Sequence, residues 1–298
     1  MLWGGNQVAI KVGLEGLPPL AMAVVRFTIG WIVVAAAALI TRQRVALDAG
    51  EWRPLAGLCV IFVIQIATLN IGTQHTSASR SIVLISAYPF FTAAFAHRLI
   101  PGDRLARRQV AGMILSFVGI ACMFAESLSW TETEHLFGDL VVLLSAALLG
   151  LRQVVLKLLV ADAHPYKVLF WQALMSLPVF FLLSWMVEGG VDTYSWSWRV
   201  AAGVLYQGVV VAGGCFIILV SLLSRHSAGK LGVFGFATPA VGVALSLWIT
   251  GDVLTMGLVA SMALVGAGIV ITQTTTGSPP MQPPLSAPAS PPERPVPR

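Results

Sequence analysis

Four basic residues of this chain fall inside long apolar stretches: Lys11, Arg26, Arg152 and Lys157. A charge carried into a bilayer costs about 2.5–3.5 kcal/mol on insertion scales, so each marks a pathway or cavity unless it reaches the headgroups. Position separates the four. Lys11 and Lys157 lie about three residues from the ends of their stretches, where snorkelling is the expected behaviour. Arg26 sits about six residues in, roughly 9 Å at 1.5 Å per residue, and the two roles weigh equally there. Arg152 is deepest and is flanked by Gln153, which favours a pathway or cavity role. All thirteen acidic residues lie in loops or at stretch ends, Asp139 and Glu15 being the deepest. A basic interior without carboxylates favours a substrate that carries a carboxylate or another anionic group. It also weighs against a buried acid that trades a proton for a cationic compound, although helix termini and backbone can bind ions too.

Uncharged polar residues extend the same surface. Asn6, Gln7, Gln65, Tyr88, Gln153 and Tyr206 (beside Gln207) all interrupt apolar runs. Polar groups facing lipid would go unsatisfied, so these are expected to face the protein interior. There they contact substrate or bond helix to helix. Trp3 and Trp171 are read as interfacial anchors or packing residues. Pro89, Pro178 and Pro239 fall near the middle of apolar runs, where each removes a helical hydrogen bond. Pro89 and Pro239 are expected to be hinges or kinks that line a cavity, or static packing bends. Gly208-x-x-x-Ala212 and Gly242-x-x-x-Ser246 offer faces for close helix packing.

Enzymatic constellations are missing from the sequence. It has no phosphate-binding P-loop, no HExxH, no GxSxG and no Cys or His pair at metal spacing. The five histidines lie at stretch ends or in loops, and Cys59, Cys122 and Cys215 lie in apolar runs as small packed hydrophobes. No cofactor, no metal and no enzymatic activity are expected.

The elements that must position these residues follow from composition. The chain is 57% hydrophobic and 10% charged, with mean hydropathy +0.84. Crossing a ~30 Å hydrocarbon core takes roughly twenty apolar residues as helix. The fold class expected is an all-α polytopic membrane protein with ten spans, at 1–14, 20–41, 53–74, 79–98, 107–126, 138–160, 168–187, 199–222, 230–250 and 253–273. The first is too short to cross upright, so upstream apolar residues are expected to complete it. Residues 277–298 are rich in proline and read as a disordered tail. With the amino terminus cytoplasmic, inside loops and tail hold twelve Lys or Arg, and outside ones hold only Arg80 and Arg199. Both termini are then cytoplasmic. The +5 net charge faces anionic lipid and needs no nucleic acid.

The two halves echo each other. WGGNQVAIK at 3–11 returns as LGLRQVVLK at 149–157, aligning Gln7 with Gln153 and Lys11 with Lys157. TSASR at 76–80 returns as HSAGK at 226–230, Pro89 as Pro239, and PGDRL at 101–105 as TGDVL at 250–254. The order is the same in both halves, which argues for a duplicated five-helix unit. An odd number of spans inverts the second copy, an architecture that recurs in secondary transporters.

WGGNQVAIKVGLEGLPPLAMAVVRF, the Tyr88-Pro89 helix, and GDRL followed by Gly112 and Gly119 resemble the EamA-type transporters of the drug/metabolite transporter superfamily. The resemblance spans residues 1 to about 273. It implies two EamA domains, 1–126 and 136–273, and export of small metabolites such as amino acids or drugs across a bacterial inner membrane. Gly102-Asp103 and Gly251-Asp252 stand where the family usually has Gly-Glu. The expected partners are a small-molecule substrate and the lipid bilayer, with a homodimer left open. Uptake or exchange, a membrane-embedded enzyme acting on lipid-linked substrate, and an assembly subunit are the rival readings.

Overall fold

The computed structural model describes residues 2–48, 50–100, 106–127, 135–162, 164–189, 194–218 and 237–273. Among these residues all regular structure is helical. Seven helical stretches are long and apolar enough to cross a membrane: 19–40, 52–74, 78–99, 107–125, 136–160, 165–187 and 198–218. Two shorter apolar helices, 239–249 and 256–271, and a short first helix complete the described set. The protein is a polytopic helical membrane protein. The tail beyond 276, the HSAGK segment and the first GDRL segment lie outside the described residues.

In chain order the helices are α1 (Asn6–Gly13), α2 (Pro19–Ile40), α3 (Trp52–Gln74), α4 (Ala78–Ile85) and α5 (Tyr88–Leu99). They continue as α6 (Arg107–Ser127), α7 (Leu136–Asp162), α8 (Pro165–Val187) and α9 (Trp198–Leu205), which runs into a π-helix, Tyr206–Cys215. The last two are α10 (Ala237–Ile249) and α11 (Met256–Gln273). Proline opens α2 and α8, where its missing N–H would have gone unpaired anyway. Glu188, at the end of α8, accepts from the first backbone N–H groups of α2, Leu20 at 2.6 Å and Ala21 at 2.8 Å. That carboxylate ties two antiparallel helices together.

The fourth span departs from the expected single kinked helix. It is two helices, α4 and α5, separated by Ser86 and Ala87. Pro89 cannot donate to the Ile85 carbonyl and its ring crowds that position, so the chain stops and restarts instead of bending. Ser86 Oγ donates to the Ile82 carbonyl at 2.6 Å, and Phe90 N to that of Ala87 at 3.0 Å. Pro89 thus occupies the first turn of α5 and does not sit mid-helix. Pro239 lies in α10, whose described residues begin at Ala237. Pro178 lies inside α8.

Tight crossings hold the bundle. A Cβ added at Gly30 would fall 2.7 Å from Ala212 Cβ, and one at Gly208 would fall 2.7 Å from Ile29 Cβ. Small residues therefore set the approach of α2 to the π-helix. A Cβ at Gly150 would meet Phe91 Cβ at 2.7 Å, which brings α7 against α5. The other main packings are α3 with α7 and α8, α2 with α8, α1 with α9 and the π-helix, and α6 with α11.

Candidate functional site

Two arginines meet in the interior of the bundle. Arg26 on α2 and Arg152 on α7 are each 3% exposed, and they lie over two neighbouring rings, Phe27 and Phe62, whose centroids are 4.8 Å apart. Arg26 Nη1 donates to Gln207 Oε1 at 3.3 Å, and Gln207 Nε2 donates in turn to the Ala9 carbonyl of α1 at 2.8 Å. Arg152 Nη1 reaches Gln65 Oε1 at 3.5 Å. Gln65 is fixed by Ser145, donating to its Oγ at 3.1 Å and receiving that hydroxyl on its carbonyl at 2.8 Å. Aromatic faces cover the cations: Arg152 stands 4.5 Å from the Phe62 centroid and 5.4 Å from that of Phe216, and Arg26 stands 4.7 Å from that of Phe27. Such contacts attract a buried cation and make its burial less costly.

They do not satisfy it. Arg26 Nε, Arg152 Nε and Arg152 Nη2 are buried without a hydrogen-bond acceptor. Among the described residues the ion pairs are Arg80–Asp139, Lys167 with Asp48 and Glu51, and Arg199–Glu15, and neither interior arginine takes part. Buried charges are ordinarily paired, because leaving one without a counter-ion is strongly unfavourable. Three guanidinium nitrogens of the interior are thus left as unused donors.

Several other polar residues singled out in the sequence are buried in the bundle. Asn6 and Gln7 are buried on α1, Asn6 Nδ2 donating to Gln7 Oε1 at 3.4 Å while Asn6 Oδ1 is unpaired. Gln207 links α1 to Arg26. Three others lie apart. Tyr206 donates its hydroxyl to the Leu2 carbonyl at 2.5 Å. Tyr88 is half-buried at the start of α5, and Gln153 is half-buried beside Arg152. Among the described residues no hydrogen bond joins these three to the arginines. Gln172 and Trp31 complete the surroundings. Gln172 is buried with Oε1 unpaired, and Trp31 Nε1 is buried and unpaired. Gln172 carried the same signal as Gln65, a lone amide in an apolar run. An indole gives no such signal in a sequence with nine of them.

Three charges behave otherwise than expected. Lys11 is taken up by backbone acceptors that the sequence did not indicate. Its ammonium donates to the carbonyls of Thr73 at 3.0 Å, Gln74 at 3.1 Å and Thr76 at 2.5 Å, closing the orphaned end of α3. Arg80 and Asp139 are not loop charges, being 4% and 0% exposed. Arg80 Nε donates to both Asp139 oxygens, at 3.3 and 3.1 Å, and Nη2 pairs closely with Oδ2. Thr76 Oγ1 donates to Oδ1 at 2.6 Å. The interior therefore does hold a carboxylate, and Arg80 neutralises it. Lys157 is exposed, as snorkelling requires.

Comparison with known proteins places this geometry. The profile of the EamA-like transporter family matches residues 1–125 and 136–274. A probable amino-acid metabolite efflux pump of Salmonella typhimurium is 26% identical over 278 residues, covering 91% of each chain. Its Escherichia coli K12 counterpart in name is 24% identical over 279 residues, covering 91% of this chain and 89% of its own. The uncharacterized transporter YoaV of Bacillus subtilis is 20% identical over 276 residues, covering 92% and 94%. A solved crystal structure, 18% identical, superposes with a TM-score of 0.67 over 91% of this chain and 92% of its own, and so shares the fold.

Proposed function

The chain belongs to the EamA-like transporter family, and we propose that it is a secondary transporter that exports small carboxylate-bearing metabolites, amino-acid-like compounds among them, by alternating access. The observation that carries the substrate reading is the Arg26–Arg152 pair, with its three unused donors and no carboxylate in contact. A substrate carboxylate supplies the missing counter-ion. Gln65 and Gln207 hold the two guanidinium groups in place, and Asn6 and Gln7 offer further polar atoms from α1. Gln153, Tyr88 and Tyr206 are assigned to the pathway at other points of the cycle, where helices have moved. The efflux names of the two enterobacterial relatives support the outward direction.

Ten spans in two inverted five-helix units, 1–126 and 136–273, are the architecture this mechanism uses. Packing supports that reading. If the sequence echo is followed, α1 corresponds to α7, α2 to α8, α3 to α9 with the π-helix, α4 and α5 to α10, and α6 to α11. Exchanging the halves then maps α2–α8 and α6–α11 onto themselves, α3–α7 onto α1–α9, and α3–α8 onto α2 with the π-helix. It also maps α4–α7 onto α1–α10. This is how two units related by a twofold axis in the membrane plane would meet, with the substrate site between them.

Lys and Arg bias in the loops supports cytoplasmic termini in a bacterial inner membrane. Reporter fusions after Thr276 and within 127–135 are expected on opposite sides, and both on one side would break the ten-span architecture. The substrate reading is tested by counterflow in proteoliposomes. Benzoate and L-phenylalanine are expected to exchange, and benzylamine, the cationic counterpart of benzoate, is expected not to.

A further inference from the structure

A small apolar cavity of about 20 Å³ lies between α2, α3, α8 and the end of the π-helix, walled by the rings that the two arginines cover. Phe27, Trp31, Phe62 and Phe216 supply flat aromatic walls, and two of these rings are the ones that cover Arg152. Two polar residues line the same cavity. Gln172 brings a buried Oε1 that no donor reaches, and Trp31 brings a buried Nε1–H that no acceptor reaches. An unused acceptor and an unused donor thus share one aromatic cavity, whose Phe27, Phe62 and Phe216 walls also carry the two arginines.

These needs specify a ligand. The arginines call for an anion, and the aromatic walls favour a planar apolar body stacked or set edge-on against them. Gln172 calls for a donor and Trp31 for an acceptor. A hydroxyl on the planar body offers both functions in one group, a donor suited to Gln172 Oε1 and an acceptor suited to Trp31 Nε1. An ammonium meets only the first, because it has no acceptor lone pair. Resting on the carboxylate reading above, we propose that the substrate is a hydroxyaromatic carboxylate, held at its carboxylate by Arg152 and Arg26 and at its hydroxyl by Gln172 and Trp31.

The cavity as it stands holds about one water, since a water needs ~10–15 Å³ of such volume. Loading a ring therefore requires α2 and α8 to part. Their adjoining ends carry a fitting restraint: Lys167, in the first turn of α8, bonds Asp48 at 3.1 Å and Glu51 at 2.8 Å in the connection that follows α2.

The test measures binding to the purified full chain in detergent by calorimetry, with 4-hydroxybenzoate, benzoate and phenol as probes. Two hydrogen bonds lost or gained correspond to about tenfold or more in affinity. We expect 4-hydroxybenzoate to bind at least about tenfold tighter than benzoate, and phenol to bind worse than either. Gln172→Leu should bring the ratio of the two carboxylates toward one. Trp31→Phe keeps an aromatic face and removes the N–H together with part of the indole, so it should do the same in a protein whose packing is retained. Equal affinities for the two carboxylates in the unaltered protein would overturn the hydroxyl assignment and leave the carboxylate reading intact. A ratio that survives both substitutions would likewise overturn it. Failure of both carboxylates to bind would overturn the carboxylate reading and this one together.

Discussion

Replacing Asp139 with alanine is expected to destabilise the folded protein by about 3–5 kcal/mol, the effect of removing one partner from a buried ion pair. The carboxylate is 0% exposed and receives hydrogen bonds from Arg80 and Thr76. Arg80 also donates to the Met123 carbonyl at 3.3 Å, so the pair joins α4 and α7 to the ends of α3 and α6. Without Asp139 the guanidinium keeps the Met123 carbonyl and loses this buried carboxylate, and the penalty is that of breaking a buried pair. The double substitution Arg80→Leu with Asp139→Leu should recover much of the loss, because apolar residues can replace a buried pair at little net cost. Denaturant or thermal unfolding in detergent measures both variants. An Asp139→Ala protein within about 1 kcal/mol of the parent would show that water reaches the pair.

Arg152→Gln should behave in the opposite way. Arg152 has two unpaired nitrogens and a second cation nearby, so removing its charge relieves an unfavourable burial and repulsion. Ligand-free stability is expected to be unchanged or higher. Transport of carboxylates should fall at least about tenfold, in line with a charge-assisted hydrogen bond of roughly 1.5–3 kcal/mol lost from the bound state. Arg152→Lys separates two kinds of recognition. It keeps most activity if the substrate needs only a positive charge, and little if it needs the planar fork of a guanidinium. The contrast between Asp139 and Arg152 is informative because both are buried and ionic. One charge is matched within the fold, and the other has no carboxylate partner among the described residues.

Much of this arrangement was legible in the residues themselves. Apolar runs located the helices, because length and hydropathy decide whether a stretch can cross a bilayer. A lone amide such as Gln65 or a deep charge such as Arg152 pointed inward, because lipid offers neither any partner. Arg80 and Asp139 were misread for a physical reason. Each lies within a few residues of a helix start, so hydropathy assigns both to the water side, and they stand 59 residues apart in the chain. Only the packing of α3, α4, α6 and α7 brings them together. For Lys11 the sequence showed the reach but not the acceptors, the open carbonyls at the end of α3, which only the packing of α1 against α3 supplies. The break before Pro89 was half legible. Proline at that position forbids a continuous hydrogen-bond ladder. Whether the chain bends or stops depends on neighbours such as Gly150, which lets α7 approach α5 closely.

The central claim is that the interior arginines hold the substrate's carboxylate, and ligand-dependent stability tests it most directly. Thermal unfolding of the purified protein would be followed with and without saturating benzoate, beside benzylamine, for the parent and Arg152→Gln. The account predicts that benzoate raises the parent's midpoint by several degrees, since a ligand at about 100 times its Kd adds about 2.7 kcal/mol to the folded state. Benzylamine should leave the midpoint where it was, and Arg152→Gln should fold normally yet lose the response to benzoate. An equal rise with benzoate in the parent and in Arg152→Gln would contradict it.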